Sequence, residues 1–280
     1  MISETEAQEL LGSRDLIAIG MKADEVRRRL HGARTTFVRV LEIHVDAPVT
    51  SLPARTSAGE FRIVGSASSL EAAIVAVRGG RSLAAAAPLT GFSLADLVTL
   101  EGLSSLADVL TALRQAGLEA ISEAPLDLLD NAEAAIAAAR GAGLSVTRLT
   151  VNVQRPDDRI ALAHRARALQ STLGGFHAFA PLPRTISISA PTTGYDDVKQ
   201  IALTRLVADN IPSIQVDWQL YGPKLAQFAL TIGADDVDGV AAVDPGILGT
   251  RRSPIEEIRG NIRAAGLEPV ERNARFEAIG

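Results

Sequence analysis

The sequence predicts a (β/α)8 barrel of the TIM type, folded as one domain from short strands that alternate with helices. Three observations indicate this fold. The chain has 280 residues, 47% of them hydrophobic, and α/β barrels routinely reach about 250 residues as one domain. Eight short apolar or alternating segments recur at roughly regular intervals. Helical patterns follow most of them, and several helices end at a glycine before a new strand, as in RQAGLEAIS and RGAGLSVTRL.

Residues 1–34 are predicted to be an N-terminal helical extension, and residues 35–280 to form the barrel. Ser3 and Glu6 match a capping box, and the glycine of ADEVRRRLHG suits the end of a helix. The predicted strands, in order, are Thr35 to Val45, Glu60 to Gly65, Arg81 to Ala87, Leu118 to Ser122, Ser145 to Val153, Gly175 to Ala180, Pro212 to Trp218 and Asp238 to Val243.

The connection between the first two strands departs from the pattern. It is the segment DAPVTSLPARTSAG, residues 46–59, which contains two prolines and little helical periodicity. A parallel crossover normally needs about a dozen residues or more, usually including a helix. We therefore expect the first crossover helix to be shortened or missing, and the barrel to be distorted or partly open there.

Composition excludes several classes of function. The chain has 28 Lys and Arg against 33 Asp and Glu, and its net charge of -5 argues against a nucleic-acid partner. No apolar run approaches the roughly 20 residues that span a bilayer, and the start MISETEAQEL lacks the features of a signal peptide, so we expect no membrane partner and a cytoplasmic location. With no cysteine, the chain cannot form disulfides, thiolate zinc sites or cysteine-ligated iron–sulfur clusters.

The segment PTTGYDDVKQIALTRLVADNIPSIQVDWQLYGPKLAQFALTIGADDVDG, residues 191–239, closely resembles the C-terminal half of aminofutalosine synthase. The likeness extends through LGGFHAFAPL, LRQAGLEAI, FRIVG and DLIAIGMKADEVRRRLHGARTTFV, and so covers nearly the whole chain. Aminofutalosine synthase is a radical S-adenosylmethionine (SAM) enzyme of the futalosine route to menaquinone. The wider group includes cyclic dehypoxanthine futalosine synthase and the deazaflavin synthase subunits.

The chain also departs from this family. Such enzymes carry a CxxxCxxC loop for a [4Fe–4S] cluster after the first strand, where this chain has residues 46–59 and no cysteine. The segment GSASS, residues 65–69, stands where the family binds the methionine end of SAM, and PLPRT, residues 181–185, replaces a histidine-containing stretch. The resemblance therefore implies a degenerate member that holds no cofactor and does not make the 5'-deoxyadenosyl radical.

In barrels the functional site lies at the C-terminal ends of the strands. Alternation along the first strand places Glu42, His44 and Asp46 on one face. Glu42 and His44 are the candidate catalytic residues, because together they could perform acid/base chemistry. The same three residues could instead form a thiolate-free metal site, contact a small molecule, or be an ordinary polar strand end with a hydrogen-bonded histidine. We predict no metal site.

Later strands supply candidate ligand-binding residues. The planar fork of Arg184 could hold a carboxylate, or it could pair with a neighbouring acid. Trp218 could stack on a ring or pack at the rim, and Gly222 could present backbone N–H groups to an anion or simply start a helix. The candidate ligand-binding set is Glu123, Asn152, Gln154, Arg184, Asp217, Trp218 and Gly222.

Three classes of function follow. The first is a cluster-less protein linked to futalosine-pathway menaquinone biosynthesis, which binds a small carboxylate or nucleoside or assists a protein partner from that pathway. The second is an enzyme with cluster-independent acid/base lyase or hydrolase chemistry. The third is a structural subunit that pairs through an open edge near residues 46–59 with another barrel, or with itself as a homodimer.

Overall fold

The strands of the protein form a closed parallel barrel. A computed structural model describes residues 2–47, 49–100, 105–153, 159–185, 191–244 and 254–279. Neighbouring strands follow the order β1, β2, β3, β4, β6, β7, β8 and β9, and β9 pairs with β1 to complete the ring, which confirms the predicted (β/α)8 barrel. The strands are β1 (Arg34–His44), β2 (Glu60–Val64), β3 (Leu89–Ser93), β4 (Ala120–Pro125), β5 (Ser145–Val146), β6 (Arg148–Val151), β7 (Ala178–Pro183), β8 (Ser213–Asp217), β9 (Asp236–Ala241) and β10 (Glu268–Glu271).

Helices surround this barrel and precede it. Within the described ranges, no helix is long and apolar enough to cross a membrane. The helices are α1 (Glu4–Gly12), α2 (Leu16–His31), α3 (Leu70–Ala84), α4 (Leu94–Thr99), α5 (Leu106–Ala116), α6 (Ala132–Gly141), α7 (Arg159–Thr172), α8 (Gly194–Val207), α9 (Trp218–Leu230) and α10 (Pro254–Ala264).

The first strand pairs along both of its edges. Its C-terminal half pairs with β2 along one edge and its N-terminal half pairs with β9 along the other, and Val40 pairs with both. The expectation of a partly open barrel is therefore wrong, and so is the open edge near residues 46–59 on which the structural-subunit hypothesis depended.

The connection from β1 to β2 contains no helix in its described residues, 45–47 and 49–59, as the sequence predicts. It instead hydrogen-bonds directly to the strands. The backbone N–H of Ser57 donates to the carbonyl of Ala242 at 3.0 Å, and that of Gly59 donates to the carbonyl of Arg39 at 2.9 Å. Some backbone N–H groups of the short segment thus find their hydrogen-bond acceptors in the barrel wall.

The prediction of a third strand at Arg81 to Ala87 is wrong. Helix α3 continues to Ala84, and the strand is Leu89–Ser93. Gly80 lies inside α3, where a Cβ would come within 3.1 Å of the Leu89 side chain. Gly80 therefore does not end α3. It allows α3 to approach β3 closely. The other predicted strands overlap observed ones.

The sequence did not predict β10, which pairs with the N-terminal part of β1. The chain then turns under the barrel, and Arg272 donates two hydrogen bonds of 2.6 Å to the buried carboxylate of Asp236. Phe276 follows and stacks on the ring of His177. This C-terminal segment covers much of the N-terminal end of the barrel.

The N-terminal helices pack against α8, whose residues from Asp197 to Val207 are all buried. Ile19 and Ala23 of α2 form a cluster with apolar residues of α8. The Lys199 ammonium donates to the carbonyl of Leu11 at 2.6 Å, which satisfies the C-terminal end of α1. The helical extension therefore shares a core with the barrel.

This packing gives a prediction for Ile19, which is 1% exposed. Replacing Ile19 by Ala should lower the free energy of unfolding by about 2–5 kcal/mol, because a buried branched side chain leaves a cavity. Urea unfolding measures the change. The control is Ile17→Ala on the same helix, where the side chain is 77% exposed and the change should stay below about 0.5 kcal/mol. Equal effects of the two variants would contradict the packing of α2 on α8.

Candidate functional site

A buried group of charged side chains fills the middle of the barrel. We call Glu60, Arg62, Arg148 and Asp238 the ionic centre. Arg62 donates to Asp238 at 2.7 and 3.0 Å and to Glu60 at 2.7 and 2.9 Å. Arg148 also donates to Asp238, and its Nε donates to the carbonyl of Ser122 at 2.7 Å. The four side chains come from β2, β6 and β9, so the ionic centre joins strands on different sides of the barrel.

Electrostatics keep these groups charged. Burial alone would raise the pKa of Asp238, but the guanidinium groups of Arg148 and Arg62 outweigh it and hold the pKa well below its usual value. Burial opposes ionisation of Glu60 in the same way, and Arg62 lowers the pKa of that carboxyl. Burial would lower the pKa of Arg62, but Asp238 and Glu60 raise it well above its ordinary value.

A cavity of about 200 Å3 opens at the C-terminal ends of the strands, above the ionic centre. We call it the mouth cavity. Its polar lining comes from strand ends and from the turns and helix starts that follow them. The charged residues that line it are Glu42, Arg62, Asp96, Glu123, Arg148, Arg184 and Asp217.

Arg184 lies in the mouth cavity, and its guanidinium is already paired. Its Nε is 2.6 Å from a carboxylate oxygen of Glu123, and its Nη1 donates to Asp217 at 3.3 Å. Burial by itself would lower the pKa of Arg184, but Glu123 and Asp217 raise it. Of the two readings from sequence, the arrangement corresponds to an ion pair with neighbouring acids.

Two further carboxylates of the cavity have local partners. Asp217 caps α9, because it accepts from the backbone N–H groups of Gln219 at 2.9 Å and Leu220 at 3.0 Å. Asp96 accepts from the Ser66 hydroxyl at 2.6 Å. Both carboxylates are therefore held in place by hydrogen bonds.

Glu42 differs from these carboxylates. It lines the mouth cavity, and no described side chain or backbone group hydrogen-bonds to it. His44 lies at the exposed end of β1, outside the lining, and Asp46 is exposed as well. Among the described residues, no three or more His, Asp or Glu side chains form a group that could hold a metal ion. Only the first of the two candidate catalytic residues therefore faces the cavity.

Three of the remaining candidates, Asn152, Trp218 and Gly222, do not line the mouth cavity. Asn152 accepts from the Thr185 hydroxyl at 2.8 Å. Trp218 is the first residue of α9 and packs partly buried against the core. Two helical stretches of α9 meet at a kink at Gly222, whose φ is 73°, so a helix does start directly after Gly222, as one of the two readings predicts. Gln154 lies outside the described residues.

Sequence reasoning missed the ionic centre. Asp238 was assigned to the entry of a strand, whereas its side chain is fully buried and binds two arginines. A signal was present in the strands: Glu60 and Arg62 are two residues apart in an otherwise apolar segment, as are Asp236 and Asp238. A spacing of two places both members of a pair on the same face.

The ionic centre predicts the effect of removing its shared acid. Asp238→Asn should lower the free energy of unfolding by about 3–5 kcal/mol, because it removes the carboxylate that pairs with the buried guanidinium of Arg148 and leaves Arg62 with Glu60 alone. The matched control, Asp130→Asn, changes an exposed carboxylate and should alter stability by less than about 0.5 kcal/mol. Denaturant titration at neutral pH measures both.

The lowered pKa of Asp238 also predicts a pH dependence. A carboxylate with a lowered folded pKa stabilises fully above its unfolded pKa of about 3.9, and this contribution is lost as the pH falls toward the folded value. As the pH falls from 5, the free energy of unfolding should therefore decrease more steeply for the native chain than for the Asp238→Asn variant. Parallel acid profiles would contradict the assignment.

Comparison with known proteins supports one family. Residues 177–279 match a family model described as the CofH/MqnC C-terminal region. The chain is 30% identical to aminodeoxyfutalosine synthase of Streptomyces coelicolor over 71% of its own length and 62% of that protein. It is 30% identical to the Thermus thermophilus aminodeoxyfutalosine synthase over 61% of the chain and 55% of that protein. The matched region is thus less than two thirds of either relative.

A second kind of relative is 5-amino-6-(D-ribitylamino)uracil–L-tyrosine 4-hydroxyphenyl transferase 1 of Methanosarcina barkeri, 30% identical over 50% of this chain and 42% of that protein. Solved structures resemble the fold. The hydrogenase maturase HydG of Carboxydothermus hydrogenoformans has a TM-score of 0.66, 12% identity and coverage of 98% and 77% of the two chains. Methylornithine synthase (PylB) has a TM-score of 0.62 and 14% identity, with coverage of 96% and 94%.

The donor groups of this chain do not fit the cluster that the family implies. A [4Fe–4S] cluster of this kind is held by cysteine thiolates, and the chain has none. The segment after β1 offers hydroxyls and the carboxylate of Asp46 instead, which are hard oxygen donors. Gly65 lines the mouth cavity, and the neighbouring Ser66 is engaged with Asp96.

Proposed function

We propose that this chain is a binding protein for a small nucleoside-like molecule. In this proposal it is a member, without cysteine, of the radical SAM family of aminofutalosine synthase and the deazaflavin synthase subunits. The molecule would occupy the mouth cavity, and the chain would carry out no radical SAM chemistry. Its link to futalosine-pathway menaquinone biosynthesis, alone or with a protein partner of that pathway, is part of the same proposal.

One observation carries the choice of ligand: the arginines of the mouth cavity are paired with acids, while Glu42 is not. A carboxylate ligand would have to displace Glu123 or Asp217 from Arg184. A ligand that donates hydrogen bonds meets Glu42 without breaking an existing pair. Sugar hydroxyls are such donors, and carboxylates bind ribose hydroxyls in dinucleotide sites. This favours a nucleoside over a small carboxylate.

The size of the cavity limits the ligand to a small molecule. Sites for drug-sized ligands enclose about 300–1,000 Å3, whereas the mouth cavity encloses about 200 Å3. Its walls are polar and apolar in about equal measure, with Ile63, Val64, Phe92 and Leu220 as the large apolar residues. A compact polar molecule with one flat apolar face matches this lining.

A second candidate function, acid/base catalysis on the bound molecule, is favoured by the same unpaired carboxylate. Glu42 could act as the base because no protein donor competes for its lone pairs in the described structure. His44 would then have no direct part, since it does not line the cavity. Conversion of the bound nucleoside that stops in Glu42→Gln would establish this function.

Calorimetric titration tests the binding proposal, with adenosine as the nucleoside probe and benzoate as the carboxylate probe. We expect adenosine to bind and benzoate not to bind. Glu42→Gln should weaken adenosine binding about tenfold or more, because a hydrogen bond to a charged group contributes about 1.5–3 kcal/mol. The control is Glu133→Gln, an exposed residue of α6 that does not line the cavity. Tighter binding of benzoate than of adenosine would overturn the choice of ligand.

Anaerobic reconstitution with ferrous iron and sulfide tests the chemistry. We expect no cluster absorbance and no 5'-deoxyadenosine from SAM under reducing conditions, because no thiolate is available to hold the iron. Release of 5'-deoxyadenosine by the reconstituted chain would refute the proposal, whatever the result with adenosine.

A further inference from the structure

A second cavity, of about 250 Å3, lies at the opposite end of the barrel. We call it the basal cavity. It forms where α2 meets β1, where β7, β8 and β9 begin, and where the C-terminal segment crosses beneath the barrel. Its polar lining includes His31, Arg34, His177, Asp235 and Arg272.

The acids near the basal cavity are already paired. Asp236 binds Arg272 through two hydrogen bonds of 2.6 Å. Asp235 binds Arg205 and accepts from the backbone N–H of Ile214 at 2.9 Å. These two ion pairs add no net charge to the cavity.

Arg34 is the unpaired charge of this cavity. It is exposed at the start of β1, and its guanidinium makes no ion pair or hydrogen bond with any residue that the structure describes. The basal cavity therefore carries a net positive charge. The guanidinium of Arg34 presents a fork of N–H donors, and this geometry binds phosphate and carboxylate groups bidentately.

Two histidines add hydrogen-bonding groups. The Nε2 of His31 is 2.8 Å from the carbonyl of Pro212 and 3.2 Å from a carboxylate oxygen of Asp235, so it carries a hydrogen and donates. The ring of His177 stacks on Phe276 with centroids 4.9 Å apart. Burial and the neighbouring Arg272 lower the pKa of His177, so at neutral pH its ring is neutral and keeps one N–H donor.

We propose that the basal cavity binds a small oxyanion, the phosphate or carboxylate group of a metabolite, with Arg34 as its charge partner and His177 as a hydrogen-bond donor. The mouth cavity has the opposite character, since its arginines are paired and its unpaired group is the carboxylate of Glu42. The two ends of the barrel thus suit different ligands, and this proposal does not depend on the function proposed for the mouth.

Calorimetric titration at constant ionic strength tests this site, with inorganic phosphate and acetate as the two probes and chloride as the background anion. We expect saturable binding of at least one probe, and the probe that binds more tightly identifies the group. Arg34→Gln should weaken it at least tenfold. Arg34→Lys should weaken it less, because it keeps the charge but loses the fork. The control is Arg29→Gln, an exposed arginine of α2 outside the cavity, which should bind as the native chain does.

Thermal unfolding of the ligand-free variants checks that each one folds. His177→Asn provides an independent variant that keeps a hydrogen-bond donor but loses the stacked ring, and it should weaken binding severalfold. Glu42→Gln should leave phosphate and acetate binding unchanged, which separates this site from the mouth. Native-like binding in Arg34→Gln, or no saturable binding of either probe to the native chain, would overturn the proposal.

Discussion

The shared carboxylate of Asp238 is the constraint on which the barrel interior depends. Arg62 and Arg148 both donate to it, and Arg184 lies 3.7 Å away. Buried guanidinium groups are costly unless acids neutralise them, so these side chains can be buried only with Asp238 and Glu60 in place. The pairs of Asp238 with Arg62 and Arg148 join β9 to β2 and to β6, whereas Glu60 and Arg62 lie on the same strand. The strands must therefore keep a register that brings the charges together, and in this way the ionic centre constrains which pairing the barrel adopts.

The chemistry of the mouth follows from this arrangement. The arginines that would otherwise attract an anion are paired with protein carboxylates, some deep in the barrel and others at its rim. Among the described residues that line the mouth, the carboxylate of Glu42 is left without a protein partner. At the other end of the barrel the acids are committed and Arg34 remains. The chemical character of each cavity is thus set by which charge the protein leaves without a partner.

The barrel retains its closed form although its first crossover has no helix in the described residues. The long β1 pairs with β2 near its C-terminal end and with β9 and β10 near its N-terminal end. The extended connection hydrogen-bonds to the barrel wall through Ser57 and Gly59. A Cβ on Gly59 would lie 2.6 Å from the carbonyl of Arg272, so the close approach of the two backbones requires glycine. The scaffold is therefore stabilised at the connection that lacks a helix.

The sequence by itself determined the barrel, because apolar periodicity and glycine punctuation are local signals that each strand and helix carries. It also determined the lack of thiolates and the missing helix after β1. Only the tertiary structure decided that Gly80 lies within a helix, that β1 and β9 close the ring, and that Arg184 forms an ion pair with Glu123. These outcomes depend on partners that are distant in the chain. A side chain's residue type limits its possible partners, but whether its charge is neutralised is settled only when the strands bring those partners together.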